Sequence, residues 1–184
     1  MNKANLTETL VQNPKMSRAW AMPSGDTFSI KPIAELLDRY LADAKVIVDP
    51  FARNATRGTI TNDLNPTTLA QRHLHAEEFA IALAAENVVA DVVLFDPPYT
   101  LRQIKECYEG VGRGFTQYDS QDGGRWTKLK DTLSTLIPVG GVTVSFGHDS
   151  RGFGKKHGFE IVEILLVCHG GAHNDTIVTV ERKL

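Results

Sequence analysis

The sequence predicts an α/β fold built on a mostly parallel sheet. Short β-branched runs alternate with amphipathic helical segments through most of the chain, the pattern of parallel strands joined by crossovers. Three of those strands end in an acid, Asp49, Asp63 and Asp96, and strand carboxyl ends are where such sheets bind ligands. Two long β-rich runs then close the chain as a hairpin would, adding an antiparallel element.

Residues 1–24 are polar, lack periodicity and include the turn-like MPSG, so they read as a loosely packed lead-in to one domain over residues 25–184. From Lys31, the residues Ile33, Leu36, Leu37, Tyr40 and Leu41 recur at three- and four-residue steps. This predicts a helix opened by Pro32 and ending near Ala42. VIVDPF (46–51) is a buried strand that stops at Asp49-Pro50, and TITNDLNP (59–66) repeats the plan. LHAEEFAIALAA (74–85) is a short helix, followed by DVVLFDPPY (91–99), the strongest strand signal. A polar stretch over about 100–125 precedes a helix through Lys128, Leu129, Leu133 and Leu136, stopped by Pro138 and Gly140. GVTVSFG (141–147) is a strand, and FEIVEILLVCH (159–169) with TIVTVERK (176–183) forms the closing pair.

With 184 residues, 42% hydrophobic and 23% charged, the chain has the composition of one ordinary globular domain. Its 20 basic and 22 acidic residues leave a net charge of -2, which excludes a generally basic surface. A nucleic-acid partner would therefore meet a local patch. Cys107 and Cys168 are too few for a disulfide scaffold and fit a reducing compartment, so a cytoplasmic location is expected. No apolar run approaches the roughly 18 residues of a membrane span, and residues 1–12 lack the apolar core of a signal peptide. No metal is expected, because Cys168, His169 and His173 match no standard ligand spacing. A nucleophile elbow, a Walker loop and HExxH are all missing.

The tetrapeptide Asp96-Pro97-Pro98-Tyr99 is the most informative motif. At a strand end it would present a carboxylate, two carbonyls of fixed direction and an aromatic face, since proline fixes φ and carries no N–H. That set suits an exocyclic amine. Accepting both N–H bonds, at the Asp96 side chain and the Pro97 carbonyl, would draw the nitrogen lone pair out of the ring and make it nucleophilic. Tyr99 would stack on the base, a contact worth roughly 1–3 kcal/mol. The same peptide also serves as a plain strand-terminating turn. Asp63, after the second strand, would accept ribose hydroxyls as in nucleotide-binding βαβ units; an acid there equally caps a turn.

These residues resemble the amino-methyltransferases that act on exocyclic amines of nucleic acids with S-adenosylmethionine. TFSI followed by Lys31-Pro32 looks like the segment that contacts the methionine part of the cofactor. Asp49, Pro50 and Phe51 resemble the cofactor loop, HAEEF with Ala76 and Glu77 the element at the adenine ring, and DPPY the catalytic motif. The resemblance spans roughly residues 26–183 and points to small adenine-specific DNA methyltransferases of phage and prophage origin. It implies a Rossmann-like class I methyltransferase with a seven-stranded sheet, S-adenosylmethionine as cofactor and no separate target-recognition domain. Asp49, Pro50, Phe51, Asp63, Leu64 and Asp96 would join Lys31, Pro32, Ala76 and Glu77 around the cofactor. The implied reaction is methyl transfer to N6 of adenine in DNA, with N4 of cytosine, a base in RNA, or a non-catalytic relative as alternatives. Small enzymes of this kind often pair as a homodimer to enlarge their nucleic-acid surface.

Two departures matter. The family loop continues into Gly-x-Gly, whereas here Arg53 and Asn54 follow DPFA; and Asp49 to Asp63 spans 14 positions against roughly 20 when a full helix intervenes. The first crossover is thus expected to shrink to a turn. Basic residues gather after DPPY: Arg102, Lys105, Arg113, Arg125, Lys128, Lys130, Arg151, Lys155 and Lys156, with Phe115, Tyr118 and Trp126 among them. They suit phosphate contacts and a flipped or single-stranded base, although such a run is also an ordinary solvated face. GVGRGFTQYDSQDGG (110–124) would be a closing loop or a surface excursion.

Overall fold

The computed structural model describes residues 13–114, 125–171 and 173–184. In chain order the elements are β1 (Lys15–Trp20), α1 (Lys31–Leu41), β2 (Ile47–Asp49), β3 (Ile60–Thr61), α2 (Ala76–Ala85) and β4 (Val92–Phe95). There follow α3 (Leu101–Gly110), α4 (Arg125–Leu136), β5 (Val142–Gly147), β6 (Phe159–Cys168) and β7 (Thr176–Lys183). The strands form one seven-stranded sheet in the order β1-β6-β7-β5-β4-β2-β3. Only β7 runs antiparallel to its neighbours, β5 and β6, so the sheet is mostly parallel with an antiparallel C-terminal hairpin, as the sequence predicts.

Each face of the sheet carries its own apolar layer. Ile33, Leu36 and Leu37 of α1 pack on Leu94, Val144 and Val178 of one face; Phe79 and Leu83 of α2 with Leu129 and Leu133 of α4 cover Val48, Val93 and Phe95 on the other. Burying each such Leu, Ile or Phe contributes about 1.5–3 kcal/mol, and the α1 and α4 positions are ones the helical spacing singles out. Pro32 sits at the start of α1, where a missing N–H costs nothing.

Two stretches differ from the sequence reading. Lys15–Trp20 lies within the lead-in, yet it forms β1, parallel to β6 at the sheet edge. Its residues are mostly exposed, so no apolar alternation marked it. The strand is instead held by pairing and by Glu163, a buried acid on β6 that gathers Lys15, Arg39 and the Tyr40 hydroxyl. The hydrogen bonds from Arg39 lead in holding the Glu163 pKa down, to about 2. The second difference is α3, in the stretch read as polar and irregular. Thr100 and Gln103 form a capping box at its start, and Ile104 and Tyr108 give it a buried stripe. The closing-loop reading of 110–124 lies largely outside the described residues.

Between β2 and β3 the described chain makes turns and no helix, as the short spacing predicts. Gly58 brings the returning backbone against β2, where a Cβ would meet the Asp49 Cβ at 3.0 Å and Thr61 Cγ2 at 2.9 Å. Buried Asn62 then fixes the surrounding loops, donating to the Pro50 and Leu74 carbonyls at 3.2 and 3.0 Å and accepting from Leu74 N–H at 2.9 Å.

Candidate active site

From β2 the chain steps outward to β3 and then returns to the other side of β2 with β4. This reversal is the point at which open parallel sheets bind ligands at their carboxyl ends. Asp49 ends β2 and Asp96 follows β4 there, and the charges of Asp96 and Asp63 lie close enough to Asp49 to help raise its pKa.

Two clefts flank Asp96-Pro97. The first, about 260 Å³, lies between Gly25–Phe28 and the loop Phe51–Ala55 and has Asp96 on its wall. Thr27 lies close enough to the Asp96 carboxyl to lower its pKa. Asp26 caps the short 3-10 turn Thr27–Ser29 by accepting from Phe28 N–H at 3.1 Å, which fixes this wall. The second cleft, about 420 Å³, opens at the ends of β4 and β5. Pro97, Tyr99, Trp126, Ser145 and His148 line it together with Arg151 and Lys156. Ser145 Oγ is buried without a hydrogen-bond partner among the described residues. Phe51 and Phe95 both make edge contacts with Trp126, at ring separations of 5.3 and 6.2 Å, so an aromatic cluster bridges the two clefts.

Burial pushes the Asp96 carboxyl up to about 7, against nearby Thr27 and the Arg53 charge, while the charge of Asp26 adds to the rise. The Tyr99 hydroxyl donates to Asp96 Oδ1, and the Tyr99 ring lies 5.2 Å from that of His148. Asp49 is fully buried and is pushed up to about 8, first by burial and then by Asp96 and Asp63, against a hydrogen bond from Phe51 N–H. Its Oδ2 has no hydrogen-bond partner among the described residues.

The raised Asp49 value has a stability consequence. The folded state holds a proton that the unfolded chain, with its ordinary value of 3.8, has released. Stability from this group is therefore full below pH 4 and declines as pH rises toward 8, on the order of 1.4 kcal/mol per pH unit across the window. Asp49→Asn keeps the acceptor for Phe51 N–H and carries no charge. Urea unfolding from pH 5 to 9 should show a shallower fall for the variant than for the wild type; parallel curves would exclude this assignment.

The structure gathers some of the sequence-predicted residues and separates others. Asp96, Pro97 and Tyr99 stand between the clefts, Pro98 follows half-buried, and Phe51 lines the first cleft. Pro50 is buried beside Asn62. Lys31 and Pro32 open α1 and lie outside both clefts; Asp26, Thr27 and Phe28, just before them, form the wall instead. Asp63 lies half-buried beyond β3, its oxygens taken by Arg53 N–H at 3.1 Å and Asn65 N–H at 2.8 Å, with Leu64 beside it. Ala76 is packed into the α2 core, and Glu77 is half-exposed at the helix start.

Of the basic residues, Arg102 pairs with Glu106, Lys156 with Asp131, and Arg151 with Asp149, whereas Arg113 stacks on Tyr108. Lys155 is exposed in the turn beside Lys156. Tyr118 and the Arg125 side chain lie outside the described residues, and Trp126 lies on the second cleft. Sequence reasoning missed Asp26 and Arg53 as cleft residues. For Asp26 the signal was its capping position in SGDTF; Arg53 was read only as a lost glycine.

Solved structures share this architecture. The N-methyltransferase NodS from Bradyrhizobium japonicum WM9 superposes with a TM-score of 0.51 at 10% identity, covering 83% of this chain and 94% of that one. The fold is a methyltransferase fold. NSun6 from Pyrococcus horikoshii, solved with SFG, matches at 0.53 with 14% identity over 80% of this chain and 50% of its own. TrmN from Thermus thermophilus matches at 0.50 with 18% identity over 84% and 49%. The chain thus spans about half the length of these last two. No protein-family model matches it, and neither does any curated protein sequence. At these identities the likeness is one of methyltransferase architecture. No helix among the described residues is long and apolar enough to cross a membrane.

Proposed function

We propose that this protein transfers a methyl group from S-adenosylmethionine to the N6 amine of adenine in DNA. The observation that carries the reading is the position of Asp96-Pro97 between two clefts at the sheet's reversal point, one suited to the cofactor and one to a base. The first cleft fits the amino-acid end of the cofactor in charge, with Asp26 and Asp96 available to an ammonium and Arg53 to a carboxylate. Its volume lies just under the range of about 300–1,000 Å³ for whole small-molecule sites, as suits part of a nucleoside ligand. Phe51 lines this pocket with Asp49 and Pro50 buried just before it in the chain, and Lys31 and Pro32 follow the Asp26–Phe28 wall in sequence. Asp63, Leu64, Ala76 and Glu77 belong to the adenosine end.

When bound, S-adenosylmethionine supplies a methyl group already activated by its sulfonium. The chain's own work is to place and polarise the acceptor. The Asp96 carboxylate and Pro97 carbonyl accept the two amine N–H bonds, and the proton released from nitrogen leaves through Asp96 or water. For this the Tyr99 hydroxyl gives up Asp96 Oδ1. Tyr99 and Trp126 form apolar walls for the base in the second cleft, and Pro98 holds the motif's turn. Extruding a base from duplex costs a few kcal/mol. Phosphate contacts fall to Lys155 and Lys156 beside that cleft, with Arg102 and Arg113 as further basic groups; Arg125 and Tyr118 are assigned to the nucleic acid from the sequence alone. A homodimer would widen this surface, and the reaction belongs in the cytoplasm, where its cofactor and DNA meet.

Mass spectrometry of nucleosides digested from DNA and from RNA, each incubated with the protein and S-adenosylmethionine, tests the proposal. N6-methyladenine from DNA alone is the expected product. Methylated cytosine, or a methylated base from RNA, would keep the chemistry and replace the acceptor; no methylated nucleoside from any nucleic acid would overturn the enzymatic reading.

A further inference from the structure

The residue after Ala52 departs from the glycine-rich loop that the sequence resembles. Arg53 nonetheless adopts the left-handed conformation, with φ of 49°, which glycine takes freely and an L-residue adopts at a cost of roughly 1–2 kcal/mol. Something must hold it there. Its N–H donates to Asp63 Oδ2 at 3.1 Å, and its guanidinium Nη1 donates to the Gly25 carbonyl at 2.7 Å. The second bond ties the two walls of the first cleft together, because Gly25 and Arg53 stand on opposite sides. Among the described residues Nε and Nη2 have no hydrogen-bond partner. Asp26 and Asp96 line the same cleft. One cavity therefore presents two carboxyls and one incompletely used guanidinium, the complement of a zwitterionic amino acid.

We propose that Arg53 recognises the α-carboxylate at the amino-acid end of the cofactor, replacing backbone contacts of a glycine loop with a side-chain clamp. The inference rests on the reading of the first cleft as the S-adenosylmethionine site. The planar guanidinium suits a carboxylate because it donates two parallel hydrogen bonds in one plane. Being anchored by Nη1 on Gly25, the side chain loses less freedom on binding than a free arginine would.

Isothermal titration of the full chain with S-adenosylmethionine and with its decarboxylated analogue separates this role from mere bracing. Wild type should prefer the carboxylated ligand by about 20-fold, the range of one lost charge-assisted contact. Arg53→Gln should bring the affinity for S-adenosylmethionine down to that for the analogue while leaving the analogue's own affinity unchanged. Arg53→Gly, which takes the left-handed φ without strain, should behave the same way with an undiminished thermal midpoint, so that lost binding is not lost folding. Equal weakening of both ligands in both variants would overturn the inference in favour of a structural brace, as would no weakening of either. Binding of neither ligand by the wild type would instead overturn the cofactor reading on which the inference stands.

Discussion

Asp96→Ala should abolish detectable methyl transfer while leaving S-adenosylmethionine affinity within a few-fold. The carboxylate is assigned one of the two N–H bonds of the acceptor amine, and losing one preorganised partner of a developing charge typically costs about 10²–10³ in rate. Cofactor affinity changes little because Asp96 is one lining group of the first cleft among several. The pH profile adds a second readout. Burial holds the Asp96 carboxyl at about 7, and only the ionised form accepts from the amine without a competing proton. The wild-type single-turnover rate should therefore rise about tenfold per pH unit below 7 and level off above it. Asp96→Asn keeps the size of the side chain and one carbonyl acceptor but has no charge to titrate, so its residual rate should be flat across this range. Undiminished turnover by Asp96→Ala would remove Asp96 from the mechanism.

Gly152→Ala should be strongly destabilising, since among the described glycines Gly152 has the shortest contact for an added Cβ. A Cβ at this position would sit 1.9 Å from Glu181 Oε2 and 2.4 Å from its Cδ. The Glu181 side chain has nowhere to go. It is 1% exposed and accepts from Phe153 N–H, from Gly154 N–H at 2.8 Å and from Thr143 Oγ1 at 3.2 Å. On the other side of the loop, Lys130 donates to the Gly152 carbonyl at 2.7 Å and lies over the Phe95 and Phe153 rings. Displacing a buried carboxylate from these donors should cost about 2–4 kcal/mol, read as a lower urea midpoint. The loop that would move carries Arg151 and Phe153 on the second cleft. Whatever protein folds should consequently show a raised KM for the nucleic acid with a nearly unchanged affinity for the cofactor. A variant as stable as the wild type would show that Glu181 does not fix this loop.

Most of the architecture was legible because local patterns report burial directly. The three- and four-residue steps of α1 mark the face that meets the sheet, and VVLF before Asp96 marks a strand buried on both sides, whatever else the chain does. Strand β3 is shorter than the run from Thr59 to the acid Asp63 suggests, covering only Ile60–Thr61. There the β-branched residues run straight into an acid and a turn that leave the ladder, with Asn62 making only an isolated bridge to Arg72. The helix α3 was missed although its capping box was present in Thr100 and Gln103, because the neighbouring glycines and charges outweighed a stripe of only two buried residues.

By itself the sequence determined that an acid followed by proline would stand at the carboxyl end of a buried strand, that α1 would bury one face, and that the last two strands would pair antiparallel. These are short-range matters of periodicity and turn chemistry. The tertiary structure alone decided that the exposed Lys15–Trp20 pairs with β6, since an edge strand held by backbone hydrogen bonds and one buried acid needs no apolar alternation of its own. It also decided which parts of the chain meet at the site. Asp26 and Thr27, Arg53, and Asp96 come from three separate segments, and they share one cleft because the order of the parallel strands reverses at β2, with β3 on one side of it and β4 on the other. Spacing along a chain fixes the face a residue turns toward its own element's neighbours. Which distant segment arrives on that face is set by how the layers pack, and here that packing turned an arginine that looked like a missing glycine into part of the cleft wall.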